Sequence, residues 1–125
     1  MKLTTPIRKR HPRVKDDGYL AFLHSLPCIV TGRVGVEAAH IRYGSLPHGK
    51  RDTGMGEKPD DRWCVPMSPE EHRTQHTMSE RGYWSGKGID PLVTAALLWS
   101  AFHADDLDGA ISVCQSAREL ILWRR

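Results

Sequence analysis

The spacing of apolar residues along the chain predicts three helices, each with one face packed against a core. The first begins after Asp16 or Asp17 and ends near Pro27, because proline does not continue a helix. The second begins at Asp90-Pro91, where aspartate suits the N-cap and proline suits the first helical position. The third is an amphipathic segment near the end of the chain. The apolar face of the second helix contains Leu92, Ala95, Ala96, Leu98, Trp99 and Phe102, and that of the third contains Leu107, Ile111, Cys114, Leu120 and Ile121.

Shorter apolar runs on either side of a long polar segment predict β-strands. Residues 28–32 form an apolar run closed by glycine, and residues 34–41 alternate in polarity, which together predict a small hairpin. Residues 63–67 predict a further short strand. Residues 43–61 are rich in glycine, proline and charge and lack apolar periodicity, so we expect a long loop with a functional role. The predicted order is strand, long loop, strand, helix.

The helix that follows the last strand has a well-marked start. Ser68-Pro69 suits the N-cap and first helical positions, and Glu71 is placed to complete a capping box. We expect this helix to end near residues 81–82, where glycine supports a C-terminal cap. His72 and His76 lie one turn apart on the same face, so both imidazoles can bind one cation. The same spacing also suits a surface pair or a structural metal site.

Length and composition indicate one folded domain. The chain has 125 residues, 39% of them hydrophobic and 26% charged, which is ordinary for a globular protein. We assign residues 16–125 to a single domain, in which the helical extension at residues 90–125 enlarges the core or provides a homodimer interface. The three cysteines are widely spaced and no apolar run reaches membrane-spanning length. We therefore expect a soluble, cytoplasmic protein with no membrane partner.

Residues 1–15 are strongly basic. They contain six lysine and arginine residues and no acidic residue, although the net charge of the whole chain is only +3. Because such a segment neutralises phosphates, we predict a flexible arm that contacts nucleic acid; the alternative is a solvated tail without a partner. The predicted phosphate contacts are Arg8, Lys9, Arg10 and Arg13 in the arm, and Arg42, Lys50, Arg51, Lys58 and Arg73 beyond it.

Four features in a fixed order carry a family resemblance. They are Ala39-His40-Ile41, the loop at residues 54–61, the segment at residues 65–68, and His72 followed by His76. This order resembles the HNH endonucleases, also called ββα-metal or His-Me finger endonucleases, and is most similar to small phage-type members related to the recombination-enhancement nucleases. The resemblance covers about residues 27–84. It implies an α+β fold with a small ββα-metal core, made of a short β-hairpin with a long loop and one helix, surrounded by additional α-helices.

The resemblance implies that the chain is a metal-dependent DNA endonuclease or nickase that hydrolyses phosphodiester bonds. His40 would then activate water as a general base, and His72 and His76 would hold one divalent metal ion. Mg²⁺ is the ion that we expect in use, while Mn²⁺, Ni²⁺ or Zn²⁺ can occupy the same site. The substrate would be double- or single-stranded DNA, and the products would carry 5′-phosphate and 3′-hydroxyl ends.

Departures from the family pattern leave part of the site open. Many members place a metal-binding aspartate or histidine directly before the general base, where this chain has Ala39. Glu37, Asp60 and Asp61 are the candidates for a third ligand. Because the chain has no asparagine, we expect Asp60 or Asp61 to orient the loop or His40, and we predict Asp61 as the second catalytic residue.

A structural zinc ion is not expected. Where relatives with a zinc knuckle have cysteine pairs, this chain has Cys28 with Thr31 and Ser68 with Glu71. Two alternatives to an active nuclease stay open: a catalytically weak or inactive DNA-binding module that retains the HNH fold, and a purely structural helical protein. Ala39 distinguishes the active enzyme from the inactive module, because only the active enzyme needs a substitute ligand.

Overall fold

The computed structural model describes residues 13–54 and 56–123 and has the predicted α+β fold. Within these residues there are five α-helices and two short β-strands. In chain order the elements are α1 (Asp17–His24), β1 (Glu37–His40), β2 (Cys64–Met67), α2 (Pro69–His76), α3 (Glu80–Lys87), α4 (Pro91–His103) and α5 (Leu107–Trp123). Two 3₁₀ turns, Leu46–His48 and Asp61–Trp63, lie in the loop that joins the strands.

The two strands form an antiparallel pair that carries the predicted base, His40, at one end. The register places His40 of β1 opposite Cys64 of β2. β2 is buried along its whole length, whereas in β1 Ala39 is buried and His40 is partly exposed. Neighbouring side chains of a strand point to opposite faces, so the burial of Ala39 turns His40 away from that part of the core. Ser68 follows β2 directly and caps α2, which fixes that helix next to the sheet.

Polar side chains cap the helices where the sequence predicts them. Asp16 Oδ1 accepts from the Tyr19 amide of α1 at 2.9 Å, and Asp90 Oδ1 accepts two amides in the first turn of α4 at 3.0 and 3.2 Å. Ser68 Oγ accepts from the Glu71 amide of α2 at 3.4 Å. Each cap satisfies backbone donors that have no partner within their own helix.

The helices and strands share one apolar core. The ring of Tyr19 packs edge-on against Trp99 and Phe102 of α4, and its hydroxyl donates to the Cys64 carbonyl at 3.2 Å. Burial raises the pKa of the Tyr19 hydroxyl, so this group stays neutral and keeps its hydrogen bond. Trp84 is also buried. Among the helices of the described segments, none is both long enough and apolar enough to cross a membrane.

The histidine helix is shorter than predicted. α2 ends at His76, and α3 begins after Ser79, whose Oγ accepts from the Gly82 amide at 3.0 Å. The prediction that Gly82 ends one continuous helix is therefore wrong. Gly82 lies in the first turn of α3, and the left-handed C-cap with a φ of 70° is Gly88.

Residues 28–32 form a turn, and the prediction of a strand here is wrong. Gly32 has a φ of 79°, and its amide donates to the Cys28 carbonyl at 2.9 Å. Cys28 Sγ accepts from the amides of Val30 and Thr31 at 3.3 Å each. These local bonds use the donors that strand pairing would need.

The last residues of the predicted basic arm are attached to the fold. Residues 1–12 lie outside the described residues, but the predicted end at residue 15 is wrong, because the chain is attached to the fold from Arg13 onwards. Arg13 Nε donates to the Pro59 carbonyl at 3.2 Å, and the Val14 amide donates to Asp60 Oδ1 at 2.8 Å. The Asp61 amide in turn donates to the Val14 carbonyl at 3.0 Å.

Candidate functional site

His40 and Asp61 form a hydrogen-bonded pair at the end of the strand pair. His40 is the last residue of β1, and Asp61 begins the 3₁₀ turn that leads into β2. Because His40 lies opposite Cys64, three residues after Asp61, the turn brings the carboxylate beside the imidazole. His40 Nε2 and Asp61 Oδ1 are 2.9 Å apart. The structure thus brings together the two residues that the sequence predicts as catalytic.

The Asp61 carboxylate is held by several donors. Its side chain is only 1% exposed. Arg13 Nη2 donates to Oδ1 at 2.9 Å, and the Asp16 amide donates to Oδ2 at 2.8 Å. Burial alone would raise the pKa of Asp61, but hydrogen bonds from Asp16, His40 and Arg13 together hold that pKa below its usual range. The carboxylate is therefore ionised at neutral pH and accepts hydrogen bonds only.

His40 is held in its neutral form. Burial lowers the pKa of the imidazole, the bond to Asp61 raises it, and the charges of Arg13 and Lys58 lower it again, with a net lowering. Because Asp61 only accepts, Nε2 of His40 carries the proton that donates to it, which leaves Nδ1 with a free lone pair. No other residue of the described segments forms a hydrogen bond with this ring, which is 16% exposed. His40 can thus accept a proton at Nδ1.

His72 and His76 meet on one face of α2, as predicted. Their Nε2 atoms are 3.1 Å apart. Two nitrogens that bind one ion, each about 2.1 Å from it, lie about 3.0–3.4 Å from each other in octahedral or tetrahedral geometry. A direct hydrogen bond between two neutral imidazoles gives a similar distance. The spacing of the two nitrogens therefore fits a shared cation without requiring one.

Glu37 fixes the orientation of His72. Glu37 Oε1 lies 2.8 Å from His72 Nδ1, across the gap between the start of β1 and α2. The carboxylate accepts the Nδ1 proton, so the lone pair of His72 is on Nε2 and faces His76. A carboxylate behind a histidine in this way is the usual support for a metal ligand. The sequence suggested Glu37 as a direct ligand, whereas its contact is with the far side of the imidazole.

Within residues 13–54 and 56–123, no third protein ligand joins His72 and His76. The methyl group of Ala39 is buried and offers no donor atom. Within the described part of the chain, the one group of three potential ligands whose donor atoms all lie within 4.8 Å of one another is His40, Asp61 and Cys64. That group suits a cation poorly, because Asp61 already accepts from Arg13 and His40 and because burial raises the pKa of the Cys64 thiol. His72 and His76 would thus be two protein ligands of a cation, and water and substrate would supply the others.

The predicted phosphate contacts have different surroundings. Arg8, Lys9 and Arg10 lie outside the described residues. Lys50 is only 6% exposed, its ammonium donates to the Tyr43 carbonyl at 2.6 Å, and burial lowers its pKa. The prediction that Lys50 offers its charge to a phosphate is therefore wrong, because the loop folds over this side chain.

The remaining basic residues of the loop and of α2 fall into two groups. Arg51 pairs with Glu57, an ion pair that holds the pKa of Glu57 at about 2, and Arg42 donates to the Glu57 carbonyl at 3.1 Å. Lys58 and Arg73 are exposed, and neither forms a side-chain hydrogen bond or ion pair within residues 13–54 and 56–123. Lys58 and Arg73 are the basic groups of this region that are free to meet a phosphate.

Sequence reasoning missed the role of Glu80. Its carboxylate accepts from the Arg42 amide at 3.0 and 3.3 Å, and burial raises its pKa. This bond ties the chain just after β1 to the first turn of α3, and so helps to fix the end of the strand that carries His40. Glu71 also differs from the prediction that its side chain completes a capping box. Its carboxylate instead accepts from the Tyr83 hydroxyl at 2.5 Å.

The chain belongs to the family described as "Protein of unknown function (DUF968)", whose model matches residues 3–104. The matched region includes β1, β2 and α2, with the His40–Asp61 pair and the His72–His76 pair, and it ends after α4. No curated protein and no solved structure matches the chain.

Proposed function

We propose that this member of the family is a metal-dependent DNA endonuclease or nickase of the HNH type, with a ββα-metal core formed by β1, β2 and α2. One observation carries the proposal. A neutral histidine backed by a buried carboxylate lies at the end of the strand pair, and two histidines that face each other lie on the helix that follows it. A base and a cation site on adjacent elements are the two parts that phosphodiester hydrolysis requires.

His40 would act as the general base. Asp61 accepts the Nε2 proton of His40 and leaves Nδ1 free to take a proton from a water molecule. The lowered pKa of His40 keeps the imidazole unprotonated at neutral pH. Asp61 also stabilises the imidazolium that forms when the proton is transferred, because its carboxylate stays ionised.

His72 and His76 would hold the divalent ion. When bound, such an ion supplies positive charge to the phosphate and to the leaving oxygen. The residues of the chain fit this ion in part: two facing Nε2 atoms would bind it, and Glu37 orients one of the two rings. Two protein ligands leave positions for water and a phosphate oxygen, as a catalytic site needs.

DNA is the proposed substrate because exposed basic residues lie on the elements that carry the site. Lys58 lies in the loop before β2, and its charge acts on His40, while Arg73 follows His72 on α2; both side chains are exposed. The sequence of residues 1–12 contains further lysine and arginine residues. Contacts of this kind give affinity that falls with salt and little sequence preference.

A plasmid cleavage assay tests the proposal. Supercoiled plasmid is incubated with the chain in Mg²⁺, Mn²⁺, Ni²⁺ or a chelator, alongside His72→Ala, His76→Ala and the control His24→Ala, which changes an exposed histidine on α1. We expect cleavage with a divalent ion, none with chelator, and loss of cleavage in the two α2 variants only. Resealing of the nicked product by DNA ligase checks for 5′-phosphate and 3′-hydroxyl ends. Cleavage that survives chelation, or that His72→Ala and His76→Ala leave intact, contradicts the proposal.

A DNA-binding module that has lost catalysis is the second candidate. The observation that favours it is that no third protein ligand joins His72 and His76 in the part of the chain that the structure describes, since Ala39 is buried and Glu37 is hydrogen-bonded to His72. Measuring DNA binding by fluorescence anisotropy in the same buffers distinguishes the two. Salt-dependent binding without cleavage in any of the ions supports the inactive module, whereas binding with ion-dependent cleavage supports the enzyme.

A further inference from the structure

The segment that follows the basic residues of the N-terminus is attached to the carboxylate of the His40–Asp61 pair. Both oxygens of Asp61 accept from this segment: Oδ1 from Arg13 Nη2 at 2.9 Å and Oδ2 from the Asp16 amide at 2.8 Å. Arg13 is 48 residues from Asp61 in the chain, so this contact depends on the fold. Arg13 and His40 donate to the same oxygen of Asp61.

We infer that Arg13 is a positioning residue for His40, acting through Asp61, and that it does not serve as a phosphate contact. The consequence for catalysis rests on the proposed function, whereas the effect on His40 itself does not. Three observations carry the inference: the bond to the oxygen that also holds His40, the second bond from Arg13 Nε to the Pro59 carbonyl, and an exposure of only 27%.

The geometry explains why arginine suits this place. Its planar guanidinium donates in two directions at once, to the Asp61 carboxylate and to the Pro59 carbonyl at 3.2 Å. Arg13 thereby fixes the Asp61 carboxylate against the loop, and Oδ1 stays in position to accept from His40 as well. A lysine can keep the charge and one of these bonds but not both.

The charge of Arg13 also acts on His40. The charged and titratable groups that face this imidazole are Asp61, which raises its pKa, and Arg13 and Lys58, which lower it, with the neutral Cys64 thiol nearby. Removing Arg13 takes away a cation and leaves Asp61 with more of its charge directed at His40. Both changes raise the pKa of His40, so less of the base is neutral near pH 7.

Four chains are compared in the test: wild type, Arg13→Gln, Arg13→Lys and Lys15→Gln. Lys15→Gln is the matched control, because it also removes one positive charge. Lys15 lies two residues after Arg13, and its side chain is exposed. NMR titration of the His40 ring in metal-free protein gives its pKa directly. We expect a higher His40 pKa in Arg13→Gln, a value near wild type in Arg13→Lys, and no change in Lys15→Gln.

Activity and binding give the second readout. The cleavage rate at saturating DNA should fall about tenfold or more in Arg13→Gln, as expected for a displaced base, and its acid limb should move to higher pH. Arg13→Lys should restore part of the rate. The affinity for DNA and its salt dependence should change no more in Arg13→Gln than in Lys15→Gln.

The outcomes separate the inference from the proposed function. An unchanged His40 pKa in Arg13→Gln, with a folded protein, overturns the role of Arg13 whether or not the chain cleaves DNA. A loss of DNA affinity and salt dependence at a normal cleavage rate also overturns it, in favour of a phosphate contact. A shifted His40 pKa in a chain that cleaves no DNA under any condition supports the contact with Asp61 and refutes the enzyme.

Discussion

Replacing Glu37 with alanine tests whether this carboxylate prepares His72 to bind a cation. The bond from His72 Nδ1 to Glu37 Oε1 is 2.8 Å long and selects the tautomer whose lone pair faces His76. Without it, His72 can place its proton on either nitrogen and can rotate. We therefore expect Glu37→Ala to bind Mn²⁺ or Ni²⁺ more weakly than the wild type.

The size of this effect follows from the exposure of Glu37. Loss of a carboxylate behind a histidine ligand typically weakens metal binding about 10- to 100-fold, or about 1.4–2.7 kcal/mol. The Glu37 side chain is 52% exposed, so water can take over much of its role as acceptor. We expect a loss near the lower limit, about tenfold in the dissociation constant. Glu37→Gln keeps a neutral hydrogen-bond acceptor and should therefore lose less metal affinity than Glu37→Ala.

Isothermal titration calorimetry with Ni²⁺ measures the dissociation constant. Glu70→Ala is the matched control, because Glu70 is an exposed carboxylate in the first turn of α2. Glu70→Ala tests whether the loss of any nearby negative charge weakens Ni²⁺ binding equally. Wild-type affinity in Glu37→Ala, or an equal loss in Glu70→Ala, would refute the account of Glu37 as an orienting group.

Three further predictions concern stability. Leu98→Ala should lower the free energy of unfolding by about 2–5 kcal/mol in urea titrations, because Leu98 is fully buried, whereas exposed Leu97→Ala should change it by no more than about 0.5 kcal/mol. Asp90→Ala removes the acceptor of two amides at the start of α4 and should lower the free energy of unfolding by about 1 kcal/mol. A change below the scatter of repeated titrations would show that the cap is dispensable. The folded-state pKa of His40 lies below its unfolded value of about 6.5, so its contribution to stability is present above that pH and is lost as the pH falls below it. The melting temperature should therefore fall less between pH 7 and pH 5 in His40→Gln than in the wild type, and equal falls would contradict the lowered pKa.

The parts of this fold that depend on local chemistry could be predicted from the sequence. Asp16, Ser68 and Asp90 cap the helices that follow them, because a cap needs only a side chain and the next few amides. The His72–His76 pair follows from the helical repeat in the same way. Ser79 is also a cap with a local signal, and it was missed because Gly82 suggests a helix end when read alone.

Contacts between distant parts of the chain could not be predicted in this way. Glu37 and His72 are 35 residues apart, and Arg13 and Asp61 are 48 apart, so no repeat or spacing relates them. Arg13 stands in a run of basic residues that resembles a tail. Its partner, Asp61, lies in the loop before β2, and only the folded chain brings that loop beside Arg13.

The surroundings of the basic residues in the loop also could not be predicted from the sequence. Residues 43–61 contain three of the predicted phosphate contacts, yet Lys50 is buried and Arg51 pairs with Glu57. Neither outcome follows from net charge, because a count of positive residues does not tell which of them have partners. The exposed Lys58 and Arg73 are accordingly the better candidates for phosphate contacts.

The role of His40 as general base is tested most directly by the single-turnover rate of nicking of supercoiled plasmid in Mg²⁺ or Mn²⁺, compared among the wild type, His40→Ala and His24→Ala. His24 is an exposed histidine on α1, so its replacement controls for loss of an imidazole elsewhere on the protein. If His40 is the base, the wild type and His24→Ala nick at the same rate, and His40→Ala, still folded and still bound to DNA, does not nick. Equal rates in all three proteins, or no nicking by the wild type in any divalent ion, would contradict this role of His40.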